Sequence, residues 1–500
     1  MRNRRYVSRI TCLLLFCCVL FGALVACGTQ NGAASVTTNA GEKMTEATTV
    51  VTEDPAYVEE LPELDFTGYE LKMHMRNSDF FISDQYIESF DTAVSFVDRA
   101  VFERNEAVSE RFGGIYYTIG RSDSDNYDIS LYATIQSGSC DWDVVINHGH
   151  SLSKYAQGSL MTDLYTVPNL DLSKKYWDQN MINDFKINGK MFFIGGDISY
   201  QLLGHTDSMV FNKGLCNDLG LEEPYGAVLS GDWTFELFSQ MVKCASGDEN
   251  GDGKLVLEDG DIMGYVTDKY CGPINVLYSG GGRVSSNDGT TFALTLYNDR
   301  HITIFDKFFE FVEQDNCQIF TDWNSSSELV KFRRQYAAGN VLFMDLRTYE
   351  ISTLIQEGML DYGVIPWPKW DDTVEGYHSW VDAGANQIGI PKARSEERLE
   401  FIGAVLEALC AEGHRTVLPM YYEQILKLKL AQDPQSYEVM DLIKAGRVYD
   451  MASYWGSPVG MPGYYLVSYS GHNFTTWWQS QRSQAEYHVK TLNELFSKWN

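Results

Sequence analysis

The chain has 500 residues, of which 44% are hydrophobic and 13% aromatic, so it is long enough to require more than one hydrophobic core. It carries 68 acidic residues against 39 basic ones, a net charge of −29. That charge argues against nucleic acid, anionic membrane surfaces and anionic solutes as partners.

The N-terminus has the order of parts of an export signal. Four arginines lie within the first nine residues, an apolar run follows from about 10 to 25, and Leu-Val-Ala-Cys occupies 24–27. These four residues resemble the lipobox of bacterial lipoproteins. The resemblance implies that residues 1–26 are a signal peptide and that Cys27 carries acyl chains, each buried CH₂ contributing about 0.8 kcal/mol of membrane affinity. A plain secretory signal or an uncleaved transmembrane anchor is the alternative, but neither needs a cysteine at this position.

The segment 27–62 is rich in Gly, Ala, Ser, Thr and Glu and has few bulky residues to bury. Such a segment does not offset its own ordering entropy, so we expect a flexible tether. Without the four signal arginines, 35 basic residues face 68 acidic ones, a net charge near −33. The folded body is expected to begin near Leu64, with a first strand over 68–75.

Within the body, strand and helix patterns alternate. The sequence predicts a helix over 92–112, strands at 143–146, 363–365 and 387–390, and a helix over 399–410. This alternation favours α/β domains with largely parallel sheets. No second apolar run is long enough to span a bilayer.

Six cysteines remain after Cys27, without a CxxC pair: Cys140, Cys216, Cys244, Cys271, Cys317 and Cys410. Outside the cell an even number of cysteines can pair, but this spacing gives no disulfide framework. Disulfides and buried free thiols both remain open.

A series of segments in fixed order is similar to landmarks of the extracellular solute-binding proteins of bacterial carbohydrate ABC transporters, the maltose-binding-protein-like class. The segments lie at 141–145, 155–164, 188–193, 209–213, 219–224, 232–235, 337–344, 361–366 and 384–392. The resemblance runs with gaps from about 66 to 412, and the last ninety residues match weakly.

The resemblance implies a two-lobed, type II periplasmic-binding-protein-like α/β fold with the solute in the cleft between the lobes. Residues 63–203 and 346–412 would form the N-lobe, and 204–345 and 413–500 the C-lobe. Hinge closure on a ligand is the behaviour expected of this plan. The implied function is a monomeric, lipid-anchored subunit on the outer face of the cell membrane that captures a sugar or oligosaccharide and delivers it to permease subunits.

Catalytic signatures are missing from the sequence. It has no GxSxG, HExxH, GxxxxGK[ST] or mature CxxC motif, so we expect a binding protein and not an enzyme. With 68 carboxylates some pair must lie close in space, so a secreted glycoside-acting enzyme is a further alternative.

A calcium-loop pattern occupies residues 248–259. Its side-chain and backbone ligands would be Asp248, Asn250, Asp252, Lys254 through its carbonyl, and Asp259, with Gly253 at the turn. An EF-hand has Glu at the twelfth position, and Asp-ended loops are known in dockerins. We therefore expect a structural Ca²⁺ in a surface loop, with a solvated acidic turn as the alternative.

Position against the family also indicates the ligand site. Sugars offer flat C–H faces to aromatic rings and hydroxyls to Asp, Asn, Arg and His. The candidates are His148, His150, His205, Asp207, Arg347, Tyr349, His378, Trp380 and Asp382.

Among these candidates Trp380 is the first choice for stacking, with a core position equally open. Weaker candidates are Asp79, Phe80, Phe81, Trp455, Trp477 and Trp478, of which the last two are expected to pack inside the C-lobe. A non-sugar solute is the other interpretation: a peptide, or Zn²⁺ held by His148, His150, His205 and His378.

Overall fold

The computed structural model describes residues 54–76, 95–122, 129–320, 334, 336–356, 358, 361–426 and 435–499. Cys27, the tether up to residue 53 and the weaker candidates at 79–81 lie outside these residues. The described residues belong to one compact unit. None of their helices combines the length and apolarity needed to cross a membrane.

The strands of the described residues fall into two main sheets and two small pairs. They are β1 (Glu70–Met75), β2 (Tyr116–Arg121), β3 (Val144–His148), β4 (Asp207–Asn212), β5 (Met263–Asp268), β6 (Ser285–Asn287), β7 (Phe292–Leu294), β8 (Cys317–Phe320), β9 (Val341–Arg347), β10 (Tyr362–Ile365), β11 (Ser379–Trp380), β12 (Asn386–Gly389) and β13 (Arg447–Val448).

Helices cover the faces of both sheets. They are α1 (Phe96–Arg111), α2 (Ile129–Ser137), α3 (Gly149–Gln157), α4 (Gln179–Phe185), α5 (Gln201–Gly204), α6 (Lys213–Asp218), α7 (Tyr225–Ser230), α8 (Phe235–Cys244), α9 (Gly272–Ser279), α10 (Asp299–Val312), α11 (Ile351–Gln356), α12 (Glu396–Glu412), α13 (Leu418–Leu426), α14 (Gln435–Ala445), α15 (Met451–Tyr454), α16 (Pro462–Val467) and α17 (Phe474–Phe496). A π-helical turn, Gly413–Val417, joins α12 to α13.

The first sheet has the order β12-β3-β1-β2. Strand β1 runs parallel to β2 and β3, and β12 runs antiparallel to β3. In β3, Val144, Val145 and Ile146 are fully buried, as expected of a strand covered on both faces. The predicted strands at 68–75, 143–146 and 387–390 are confirmed here, each with shifted ends.

The second sheet has the order β10-β4-β9-β5-β8. Strand β5 runs parallel to β8 and β9, whereas β4 runs antiparallel to both β9 and β10. The prediction of largely parallel sheets is therefore wrong for this sheet. The chain passes from β3 to β4 through α3, α4 and α5 and starts the second sheet there, so β3 and β4 do not form a parallel β-α-β unit.

One part of the predicted division into lobes needs correction. Strand β10 lies within 346–412, the segment assigned to the N-lobe, but it pairs with β4 in the second sheet. The chain returns to the first sheet only at β12. A short apolar strand does not reveal its pairing partner from sequence, and the pairing decides the lobe. The other lobe boundaries remain predictions.

Capping side chains explain where the two predicted helices begin. Ser95 caps α1 in a capping box with Asp98, and Ser395 caps α12, which begins at Glu396, three residues before the predicted start. In α17, Trp477 and Trp478 are buried.

All six cysteines after Cys27 are unpaired thiols, and every one except Cys244 is buried.

Candidate functional site

The ends of the central strands define where a ligand site can form. In the first sheet, Asn386 at the start of β12 pairs with His148 at the end of β3. In the second sheet, Asp207 at the start of β4 pairs with Arg347 at the end of β9. Ligands of open α/β sheets bind outside the carboxyl ends of the strands. These two edges are therefore the candidate site.

A junction of three chain segments connects the two edges. Thr206 forms an antiparallel bridge with Val381, and its carbonyl accepts a hydrogen bond from the Thr348 N–H at 3.1 Å. The Asp382 N–H donates to the His205 carbonyl at 3.0 Å. The segments before β4, after β9 and after β11 therefore meet where the chain passes between the sheets.

An ion pair lies within this junction. Arg347 Nε donates to Asp382 Oδ2 at 2.9 Å, and these side chains are 3% and 20% exposed. Arg347 Nη1 is also 3.6 Å from Glu350 Oε2. Burial raises the pKa of Asp382, but Arg347, His205 and the Gly384 N–H together hold that pKa below its ordinary value. Asp382 is therefore charged at neutral pH and fixed to Arg347.

Asp207 is fully buried beside this pair. Its carboxylate accepts hydrogen bonds from Asn275 Nδ2 and, at 3.8 Å, from Cys271 Sγ. Asn275 Oδ1 in turn accepts from the Trp380 N–H at 3.0 Å. Burial raises the pKa of Asp207 well above its ordinary value. Asp207 thus connects the start of β4 to α9 and β11 inside the protein.

Trp380 lies inside a small apolar cluster in this structure. Its side chain is fully buried and packs with Ile274, Tyr278 and Val448. Its indole Nε1 has no hydrogen-bond partner among the described residues. The half-buried rings of Tyr270 and Tyr464 pack against the same cluster. They present more accessible aromatic surface than Trp380 does.

Tyr270 and Tyr464 were not singled out by the sequence analysis. Their ring centroids are 4.7 Å apart, and Lys269 Nζ lies 5.4 Å and 5.0 Å from the two rings. The Arg347 guanidinium carbon is 5.9 Å from the Tyr270 ring. Tyr270 comes two residues after Asp268, the last residue of β5, and a position directly after a strand was the signal available in the sequence.

His148 and His150 stand at the first-sheet edge. His148 Nδ1 accepts a hydrogen bond from the Ser151 N–H at 3.0 Å, so His148 caps α3. Burial, followed by the nearby Arg76 charge, lowers the pKa of His148 to about 3. The two histidine rings are 6.1 Å apart, and burial also lowers the pKa of His150. Both rings are neutral at physiological pH.

His205 and Tyr349 lie together at the junction, with ring centroids 5.0 Å apart. Burial lowers the pKa of His205 to about 4. His378 is half-buried. Burial is the largest influence that lowers its pKa, and the nearby Arg283 charge lowers it further.

Across the described residues, no group of three or more His, Cys, Asp or Glu side chains is placed to hold a metal ion. The structure therefore gives the zinc interpretation no support.

The predicted calcium loop has a regular pattern of hydrogen bonds. Asp248 Oδ2 accepts from the Gly253 N–H at 2.7 Å, and Asp252 Oδ1 accepts from the Lys254 N–H at 2.9 Å. The residue at position twelve lies close as well, with Asp259 Oδ2 3.4 Å from Asn250 Nδ2.

Asp261, just outside the loop, fixes its ends. It is fully buried, and its two carboxylate oxygens accept from the Glu249 and Val256 N–H groups at 2.9 Å and 2.7 Å. The sequence analysis did not identify this residue, which lies beyond the twelve-residue pattern.

Comparison with known proteins identifies the fold. No sequence-family profile and no curated protein matches the chain. Among solved structures, the GacH receptor of Streptomyces glaucescens GLA.O, solved unliganded and with acarbose, is similar over 86% of this chain and 99% of its own, with TM-score 0.53 and 12% identity.

Two further structures give the same result. The galacto-N-biose-/lacto-N-biose I-binding protein of the ABC transporter from Bifidobacterium longum covers 87% of this chain and 98% of its own, with TM-score 0.53 and 13% identity. A cyclo/maltodextrin-binding protein covers 86% and 97%, with TM-score 0.52 and 13% identity. The two-lobed periplasmic-binding-protein fold expected from the sequence is confirmed, and these neighbours are binding proteins.

Proposed function

We propose that this protein is the solute-binding subunit of an ABC importer and that it captures a neutral sugar or oligosaccharide between its two lobes. The observation that carries the proposal is the junction between the two strand-end edges, where the Tyr270–Tyr464 pair stands beside Arg347. Aromatic ring surface next to a fixed charged group is the combination that sugar recognition requires. The similar structures named above were solved with acarbose, lacto-N-biose and maltotetraose.

The junction also supports a closing mechanism. Segments that connect two lobes can absorb a rotation, and a ligand that contacts both lobes binds the closed arrangement more tightly than the open one. The large negative charge of the chain fits a neutral solute better than an anionic one. Delivery to permease subunits completes the proposed role.

Calorimetry of a chain beginning at residue 28 against a panel of mono- and oligosaccharides tests the proposal. We expect one neutral sugar to bind with a Kd in the micromolar range or tighter. Tight binding of a peptide or of Zn²⁺, with no response to any sugar, would show that the solute class is wrong.

Removing either ring of the tyrosine pair should weaken sugar binding. We expect Tyr270→Ala and Tyr464→Ala each to cost about 1–3 kcal/mol of binding free energy, a range taken from base stacking on aromatic rings. Tyr487→Ala is the matched control, because Tyr487 lies 70% exposed on α17. If all three variants bind sugar as tightly as the native chain does, the tyrosine pair is not part of the binding site.

Lipid anchoring through Cys27 belongs to the same proposal and places the protein on the outer face of the membrane. Thioether formation at Cys27 precedes signal cleavage in lipoprotein processing, so Cys27→Ser should abolish both. We expect the variant to keep residues 1–26 and to take up no radioactive palmitate in growing cells. A labelled Ser variant would place the anchor elsewhere in the chain.

We also propose a structural Ca²⁺ in the loop 248–259. Hard oxygen ligands at this spacing suit the ion, and the backbone of the loop is turned around the side chains of Asp248 and Asp252. The three loop carboxylates are not gathered as a metal site in the described residues, so Ca²⁺ would have to draw them together on binding. Saturating Ca²⁺ should add about 1–3 kcal/mol to the free energy of unfolding by ligand linkage. Thermal melting with and without chelator measures this gain.

Variants of the loop separate calcium binding from general loop effects. Asp252→Ala should abolish the response to Ca²⁺, whereas Glu249→Gln, at a position with no ligand in the pattern, should retain most of it. Sugar affinity should stay unchanged in both variants. A melting temperature that ignores both chelator and Ca²⁺ contradicts the proposal.

A further inference from the structure

A cavity lies at the edge of the first sheet opposite to the candidate sugar site. Strand β12 starts beside His148 and runs antiparallel to β3, so its far end reaches the amino end of β3. There Pro391 forms a bridge with Met161, and a cavity of about 470 Å³ opens between the loop after β12 and the C-terminal segment. This cavity is separate from the candidate sugar site.

The cavity is basic although the protein is strongly acidic. Four cationic side chains line it, Lys190, Lys392, Arg394 and Lys498, against the single carboxylate of Asp163. Its lining thus carries a net charge of +3 in a chain whose net charge is −29. A local excess of this sign attracts anions that the rest of the surface repels.

Most of this positive charge is uncompensated. Lys190 Nζ is 3.6 Å from Asp163 Oδ2. Within the described part of the chain, neither Lys392 nor Lys498 has an acidic partner at ion-pair distance. Both lysines are exposed, so their ammonium groups can turn toward a ligand.

Arg394 is held in place without being neutralised. Its Nη2 donates to the Cys140 and Trp142 carbonyls at 2.9 Å and 2.6 Å, and neither acceptor is charged. Its Nε is buried and has no hydrogen-bond partner in the described residues. A guanidinium held by neutral carbonyl groups keeps its full charge, and that charge attracts an oxyanion.

The adjoining cavity provides a contrast. It has a volume of about 550 Å³ and shares Arg394 with the basic cavity. Its other two cations are paired: Lys72 Nζ is 2.6 Å from Asp141 Oδ2, and Arg398 bonds Asp143. Its three carboxylates, Glu70, Asp141 and Asp143, balance its three cations when the shared Arg394 is counted. The excess that is specific to the basic cavity therefore rests on Lys392 and Lys498.

Backbone and aromatic features complete the basic cavity. Ala393, between Lys392 and Arg394, has φ of +67°, a left-handed conformation that residues other than glycine seldom adopt. The rings of Phe192 and Trp499 meet edge to face on the cavity wall, with centroids 4.5 Å apart. An apolar wall therefore stands beside the cationic groups.

We propose that this cavity binds a phosphate ester, with the phosphate among Lys392, Arg394 and Lys498 and the carbon portion against the two rings. Three available cations match a dianionic phosphate better than a singly charged carboxylate. The phosphate can belong to a soluble phosphorylated solute or to an anionic lipid headgroup. The site is independent of the proposed sugar site.

Calorimetry on the full chain in detergent tests the proposal with defined probes. The soluble arm uses inorganic phosphate and glycerol 3-phosphate, with glycerol as the uncharged control. The lipid arm uses dihexanoyl phosphatidylglycerol, with dihexanoyl phosphatidylcholine as the zwitterionic control. Binding in the soluble arm identifies a free phosphorylated solute, and binding confined to the phosphatidylglycerol arm identifies a headgroup.

Charge-removal variants give the deciding result. We expect each of Lys392→Ala and Lys498→Ala to weaken binding of the responsive phosphate probe about tenfold, the loss of one charge-assisted contact. Lys307→Ala, an exposed lysine on α10, should leave the affinity unchanged. The affinity should also fall as salt is raised. Absence of binding in both arms, or equal affinities for all three variants, overturns the proposal.

Discussion

Replacing Trp380 by alanine is expected to lower the free energy of unfolding by about 3–5 kcal/mol. The side chain is fully buried and contacts Ile274, Tyr278 and Val448, so its removal leaves a cavity that the surrounding cluster cannot fill.

Urea denaturation of Trp380→Ala and Trp380→Phe measures the effect. Phenylalanine fills most of the volume, so its loss of stability should be clearly smaller than that of alanine. Sugar affinity, measured on the same variants at a temperature where each remains folded, tests the other interpretation of this residue. If a Trp380 variant keeps its stability but binds sugar more weakly, the side chain contacts the sugar and its role is not confined to the core.

The sequence predicted three of the four strands of the first sheet, β1 from its alternation and β3 and β12 from short apolar runs, but it did not predict β2. The central residues of β3 are fully buried, as its apolar run indicates. The placement of β10 was wrong because four apolar residues are compatible with either sheet. Their partner, β4, lies about 150 residues earlier in the chain, and no local pattern records that pairing.

Position against the family suggested Arg347, Asp382, His205 and Tyr349 as site residues. The structure brings these four side chains together at one junction, and their role in binding stays a prediction. Tyr270 and Tyr464 are 194 residues apart in sequence. Their contact forms only in the tertiary structure, so neither composition nor a local sequence pattern predicts it. The role of His378 stays a prediction, because its resolved neighbours are Arg283 and the Glu375 backbone.

Replacing Arg347 by methionine should be the most damaging polar substitution in the junction. The variant removes the partner of Asp382 while keeping a long side chain, and breaking a buried ion pair costs about 3–5 kcal/mol. Because Asp382 is 20% exposed, we expect a value near the lower end of that range at neutral pH. Urea denaturation at pH 7 gives this value.

The loss should depend on pH in a defined direction. In the native chain the pKa of Asp382 is lowered, so its stabilisation is present above the unfolded value of about 3.9 and is lost as the pH falls through the folded value. Without Arg347, burial is the largest remaining influence and raises that pKa. The gap in stability between the native chain and Arg347→Met should therefore widen as the pH rises through the unfolded value of about 3.9.

A double-mutant cycle identifies the carboxylate responsible. Asp382→Asn removes the charge that Arg347→Met leaves unpaired, so the double variant should be more stable at pH 7 than the sum of the two single losses predicts. The widening with pH should also disappear, because no titrating group remains at position 382. Additive losses, or a gap that stays constant with pH, would show that the Arg347–Asp382 pair contributes packing alone. In that case the junction would be held by its backbone hydrogen bonds, among them the 3.0 Å bond from the Asp382 N–H to the His205 carbonyl.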